Sequence, residues 1–342
     1  MTELALTARK VVNFDRVILA ILALLVIIAV VSVDQLWASL SFATGALTSI
    51  LPFLALSVLI AGTAKGTSLD GQIARVFKGH PAIAVVMATM FGAAAPFCSC
   101  GVIPIVAALL AAGVPLAPVM AFWLASPIMS PSMFLLMLSV FGPAFTLAKA
   151  IAAVSMGLIG GFATYAIVKR GGFEDPLRGA AACCGCSATS VLDEKPVVLK
   201  FWKESERRDA FMETSRESAW FLIRWMTLAF LLESLMVAYV PAEVIGQSLG
   251  ANTWWAIPAS VLIGVPAYLN GFAAIPTVSA MMEMGMVPGA ALGFMLAGGV
   301  TSIPAAIAVY ALVKRSVFVT YIALGVFGSL ALSYALQPFL LG

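Results

Sequence analysis

Pro96-Phe97-Cys98-Ser99-Cys100-Gly101 puts two thiols, one residue apart, inside an otherwise apolar chain. The stretch sits between two apolar arms, residues 81–95 and 102–112. Each arm is too short to cross a bilayer comfortably, because a spanning helix needs about 20 residues. Backbone that leaves the helix at membrane depth is tolerated only where protein buries it or where it lines a watery cavity. The Cys-Ser-Cys tip therefore reads as the floor of a substrate site. Pro96 removes a backbone donor and breaks helical bonding. Gly101 lets the chain turn and lets a guest approach the backbone closely. Helix ends at such a tip leave unpaired N–H and C=O groups aimed at the cavity. Cys98, Ser99 and Cys100 are the side chains that would meet the guest.

Working outward, 62% of the 342 residues are hydrophobic and only 10% are charged. A soluble domain carries about 25% charged residues. The expected class is an all-α polytopic membrane protein. A net charge of +3, with no dense Lys/Arg cluster, argues against nucleic acid as a partner. The expected partners are a lipid bilayer and a small-molecule substrate, and a homo-oligomer is compatible with the sequence. Nothing in the chain calls for a cofactor. Sixteen Met and 28 Gly suit close helix packing and a pliable lining. The single His80 lies at an apparent helix end beside Pro81, where an interfacial role suffices. Arg9, Lys10 and Arg16 precede an apolar run over 17–33 that is long for a signal peptide and reads as a retained first span.

Charges orient the chain. Full-length apolar runs cover 17–33, 42–64, 115–141, 145–168, 218–240, 287–313 and 316–336, with short pairs at 81–95 with 102–112 and at 253–266 with 272–285. Arg9, Lys10 and Arg16 place the N-terminus inside, and Lys65, Arg75 and Lys78 follow the return of the second span. If residues 81–112 form a re-entrant hairpin, the Lys/Arg-rich loop over 169–216 also lies inside. If that pair crossed, the loop would lie outside, against the rule. The last span then leaves Gly342 on the periplasmic side. The expected location is the bacterial inner membrane, multi-pass, with a cytoplasmic N-terminus.

The halves resemble each other. Pro115 and Pro131 are spaced like Pro288 and Pro304, and Pro104 precedes Gly113 as Pro276 precedes Gly285. With three crossings per unit, the second copy must be inverted, and inverted repeats with broken helices mark secondary transporters. The expected organisation is an N-terminal segment with an extra span (1–38), a first membrane repeat (39–168), a Cys-containing cytoplasmic linker (169–216) and a second membrane repeat (217–342). The second hairpin tip holds Tyr268, Asn270 and Gly271, where Asn-Gly signals a turn and Tyr268 and Asn270 offer hydrogen bonds opposite the thiols. A further break at Ser126-Pro127-Ile128-Met129-Ser130-Pro131 has its partner at Gly298-Gly299-Val300-Thr301-Ser302-Ile303-Pro304. Its Ser126 and Ser302 either line the cavity or serve close helix packing.

The run from Pro96 to Pro104, with Gly113-Val114-Pro115 and Ala125-Ser126-Pro127 downstream, resembles the predicted-permease family that includes the methylarsenite efflux permease ArsP. The resemblance covers residues 42–336. It implies an inner-membrane permease whose best-known activity is export of trivalent organoarsenicals through membrane cysteines. Thiol chemistry agrees, since soft ligands select soft partners. A monomethyl arsenical has two exchangeable positions, which Cys98 and Cys100 can fill together. Two other readings stay open: transport of a soft metal ion or small sulfur compound, and a membrane thiol–disulfide relay. Adjacent-but-one cysteines disfavour an unstrained disulfide without forbidding it.

Cys183, Cys184 and Cys186 form a second thiol cluster in the linker. They lack paired C-x-x-C zinc spacing and read either as metalloid capture on the inner side or as a Cys-rich linker. Glu233 lies within a span and is the candidate proton carrier. Arg224, nine residues before it, is too far along a helix to pair with it. Lys149 and Glu283 lie near the outer ends of their segments, within reach of headgroups. No Walker A sequence is present, so proton-motive force is the expected drive.

Overall fold

The computed structural model describes residues 16–67, 80–95, 101–173, 176–177, 201–239, 255–265 and 274–341. These residues form α1 (Arg16–Val31), α2 (Val33–Thr67), α3 (Pro81–Ala94), α4 (Val102–Ala111), α5 (Leu116–Ala125), α6 (Pro131–Val140) and α7 (Gly142–Lys169). After one 3₁₀ turn come α8 (Ser205–Tyr239), α9 (Ala256–Gly264), α10 (Ala274–Glu283), α11 (Pro288–Val300), α12 (Ile303–Leu312) and α13 (Arg315–Leu341). Among the described residues the only β feature is a single bridge between Leu177 and Val313. The protein is an all-α polytopic membrane protein. By length and apolarity, α7, α13 and Ser205–Leu235 of α8 can each cross a bilayer. Two further crossings are bent: α2 turns by 45° at Pro52, and α11 with α12 by 42°. Large apolar side chains such as Val26, Phe91, Leu135 and Phe327 stand exposed, as hydrocarbon rather than water allows.

Residues 17–33 yield the 16-residue α1. Two expected full-length runs, 115–141 and 287–313, each fold as two helices. Residues 115–141 divide at the anticipated break into α5 and α6, ten residues each. Pro131 takes the first helical position of α6 and Ser130 caps it, its Oγ accepting from Met133 N at 3.3 Å.

The repeat is closer than its prolines suggest. The bounds of α2 and α8 differ by 172 residues (33 to 205, 67 to 239), as do those of α4 and α10 (102 to 274, 111 to 283) and of α6 and α12 (131 to 303, 140 to 312). The local chemistry repeats at the same offset. Helix α4 ends at Gly113, φ +78°, with Gly113 N bonded to Leu110 O and Val114 N to Leu109 O, both 3.0 Å. Helix α10 ends at Gly285, φ +102°, with Gly285 N bonded to Met282 O and Met286 N to Met281 O, both 3.0 Å. Both are Schellman caps, which need the left-handed conformation that glycine adopts without penalty.

Packing repeats as well. Helix α3 lies on α5, and α9 on α11. A Cβ at Gly92 would stand 2.7 Å from Phe122 O, and one at Gly264 the same distance from Phe294 O. The pairs are equivalent (92 to 264, 122 to 294), so each hairpin docks by backbone contact at one small residue. Contacts between the halves are reciprocal: α4 meets α12 and α10 meets α6, while α7 meets α11 and α13 meets α5. Helices α7 and α13 meet each other, and a Cβ at Gly328 would lie 2.5 Å from Sδ of Met156, its own equivalent (156 to 328). A residue touching its own copy lies on the two-fold axis that relates the halves.

Gly92→Ala and Gly264→Ala should each destabilise the protein by about 1–3 kcal/mol, as overpacking does. Gly45→Ala, where a Cβ meets nothing within 4 Å, should leave stability unchanged or higher. Thermal unfolding in detergent checks this, and equal effects at the three sites would contradict the docking role.

Candidate functional site

The two broken helices meet beside the axis. Helix α5 ends at Ala125, and Ser126 N still bonds to Phe122 O at 3.0 Å. In the other half α11 ends at Val300, and Thr301 Oγ1 bonds to Ala297 O at 2.8 Å. A Cβ on Gly299 would lie 3.3 Å from Pro127 O, so the end of α11 packs directly on the first break. Ser126 and Ser302 are both buried. Sequence spacing anticipated that these two breaks correspond, and the tertiary structure brings them into contact. Ser126 Oγ has no hydrogen-bond partner among the described residues.

Two further side chains tie the halves together here. The rings of Trp123 on α5 and Tyr321 on α13 stack with centroids 4.8 Å apart and planes inclined by 28°. The Tyr321 hydroxyl donates to Val300 O, the last residue of α11. One aromatic pair thus links the approach to the first break with the end of the helix at the second. Both rings are fully buried, and Trp123 Nε1 has no hydrogen-bond partner among the described residues. Sequence reasoning passed over both. The available signal was an amphipathic aromatic far from the interfacial belt where Trp and Tyr normally sit.

The hairpin tips are described only at their edges. Pro96, Cys98, Ser99 and Cys100 lie outside the described residues, as do Tyr268, Asn270 and Gly271 and the linker cysteines Cys183, Cys184 and Cys186. Gly101, directly after Cys100, is described: it is buried, and its carbonyl accepts a bond from Ser57 Oγ on α2. The exit of the first tip is therefore held by a long helix of its own half. Among the described residues no group of three or more His, Cys, Asp or Glu is arranged to hold a metal.

The in-span charges divide. Glu233 is 7% exposed, and its Oε2 has no hydrogen-bond partner among the described residues. It rides on α8, which packs on α2, α12 and α1. Glu283 is exposed at the end of α10. Lys149 departs from expectation: it is 1% exposed and does not reach headgroups. Its Nζ stands 3.7 Å from Met133 Sδ and 3.6 Å from Met137 Sδ, because α6 folds back over α7 and covers the side chain.

Apolar helices exposed to hydrocarbon, broken in pairs that meet at the interface of two repeats, define a multi-pass membrane protein with the broken-helix repeat architecture in which secondary transporters are built. The chain belongs to the predicted-permease family ArsP_1, whose profile matches residues 35–337. It is 36% identical over 81 residues to UPF0718 protein YcgR of Bacillus subtilis, covering 24% of this chain and 28% of that protein. It is 25% identical over 138 residues to UPF0718 protein MJ0584 of Methanocaldococcus jannaschii, covering 40% of this chain and 38% of that protein. The chain thus spans well under half the length of either relative. No solved structure matches it significantly.

Tyr321→Phe keeps the stack and removes the bond to Val300, and should cost about 1 kcal/mol of stability. Trp123→Phe removes a buried donor without an acceptor and should cost less than a full truncation. Unfolding of the two variants in detergent compares them, and an unchanged Tyr321→Phe would remove the hydroxyl from the link between halves.

Proposed function

We propose that the protein is an inner-membrane secondary permease that exports a soft, thiol-reactive substrate, most simply a trivalent organoarsenical such as methylarsenite. The observation that carries this reading is the contact of the two helix breaks at the repeat interface, Gly299 against Pro127. Such a junction is where transporters of this architecture hold their cargo near the midplane. Membership of a permease family supports the transport class. In this proposal Cys98 and Cys100 displace two ligands of the arsenical, with Pro96, Ser99 and Gly101 shaping the tip. Ser126 and Ser302 line the junction, and Tyr268, Asn270 and Gly271 close it from the second hairpin. The linker thiols Cys183, Cys184 and Cys186 capture the metalloid on the cytoplasmic side. Glu233 carries the proton that drives export, its burial and the lack of a partner for its Oε2 among the described residues suiting a group that must be neutral at one stage of the cycle. The N-terminus lies in the cytoplasm and the C-terminus in the periplasm, as the loop charges favour.

A soft metal ion is the second reading. Its support is the set of buried thioethers at the first break, Met129, Met133 and Met137. Thioethers, like thiolates, prefer soft metals.

Uptake into everted membrane vesicles separates these readings. Methylarsenite should accumulate with a pH gradient, and Cys98→Ser or Cys100→Ser, at normal expression, should lower the rate by at least about tenfold. Glu233→Gln should abolish the dependence on the gradient while leaving exchange of bound substrate. Full activity in both cysteine variants would end the coordination role, and uptake of a soft metal ion in place of methylarsenite would favour the second reading.

A further inference from the structure

Lys149 is, with Glu233, the second buried charge among the described residues. Its ammonium is held between α6 and α7 by the thioethers of Met133 and Met137, themselves buried. Thioether sulfur is a weak acceptor and carries no charge. The helices packed on α7 are α3, α5, α6, α11 and α13. Helices α3, α5, α6 and α11 contain no ionisable residue, and α13 contains only Arg315, Tyr321 and Tyr334. On α7 itself the other titratable groups are Tyr165 and Lys169. Helix α10, which touches α6, carries Glu283, but that residue is exposed. Among the described residues, then, no carboxylate faces Lys149, and Glu233 rides on a helix that is not packed on α7. An ammonium buried in this way is costly and marks function by default.

Position adds the second argument. Helices α5 and α7 run antiparallel: a Cβ at Gly161 would meet Ala121, and one at Gly157 would meet Ala125. Lys149, about two turns nearer the start of α7, lies beside α6, just past the first break, against Met133 and Met137. Its equivalent in the other half is Tyr321 (149 to 321), whose hydroxyl donates to Val300 O at the second break. Each half therefore presents a protonatable side chain from the same register of its last helix to its broken helix. In one half that group is pinned to a backbone carbonyl. In the other it rests on neutral, deformable thioethers.

We propose that Lys149 is a proton-carrying residue of the transport cycle. In one state the ammonium passes its proton to water on the side of low proton activity, leaving the neutral amine between Met133 and Met137. In the other the amine lone pair takes a proton from water on the opposite side. Lys149 thus moves one proton per cycle in addition to the one proposed for Glu233, the two being obligatorily coupled, and no electron moves. Movement of α6 against α7 at the break would switch the side to which Nζ opens.

Two measurements test this, and the first needs no substrate. In the full-length protein labelled at lysine ¹³Cε, the Lys149 signal is assigned by its loss in Lys149→Met. Over the pH range in which the protein transports, it should report both the ammonium and the amine. A signal that stays at the ammonium position throughout overturns the proposal. The second uses methylarsenite in proteoliposomes and so rests on the proposed cargo. Lys149→Met and Lys149→Arg should lose gradient-driven accumulation by at least about tenfold while retaining substrate exchange. Arginine fails because its guanidinium does not give up a proton in proteins. Retention of gradient-driven transport by Lys149→Arg overturns the proposal in favour of a fixed countercharge for an anion. Parallel loss of exchange and accumulation overturns it in favour of a structural role. If the wild-type protein moves no methylarsenite, the cargo reading fails, and the pH titration alone decides the role of Lys149.

Discussion

A backbone that leaves the helix inside hydrocarbon must have its polar groups covered by protein, and the rest of this structure follows from that constraint. Among the described residues eight helices are short: α3, α4, α9 and α10, and the broken pairs α5–α6 and α11–α12. None of these short helices can cross a bilayer alone. They exist because the long helices α2, α7, α8 and α13 pack on them, and because the broken pairs α5–α6 and α11–α12 lie against the other half. The two-fold relation is therefore a means of burying broken backbone as much as a relic of duplication.

Small residues set how closely this burial can be achieved. Gly92 and Gly264 bring their helices onto the bare carbonyls of Phe122 and Phe294. The same contact is made in the two halves with the small residue on opposite partners. Gly161 of α7 faces Ala121 of α5, while Ser333 of α13 faces Gly293 of α11 (121 to 293, 161 to 333). The geometry is kept although the residues are exchanged, because what is conserved between the copies is the space between two helices.

The halves have diverged where chemistry would act. Lys149 and Tyr321 occupy one register, as do Met137 and Val309, while Glu233 corresponds to Ala61. Each substitution puts a polar or polarisable group in one half and an apolar or neutral one in the other. A symmetric scaffold thus carries an asymmetric interior.

The hairpins, the break at 126–131, the repeat and the membrane class were legible in the sequence, because Pro, Gly and the lengths of apolar runs act locally. The caps at Gly113 and Gly285 could be anticipated for the same reason. Charge patterns suggested that Lys149 would reach the surface, since hydropathy sees a helix end but not the helix that folds back over it. Trp123 and Tyr321 look like ordinary membrane aromatics until two distant helices bring them together. The sequence by itself determined where the chain must break, because a missing backbone donor is a property of one residue. Only the tertiary structure decided which breaks meet and which charges are sealed in, because those depend on contacts between segments some 172 residues apart (149 to 321).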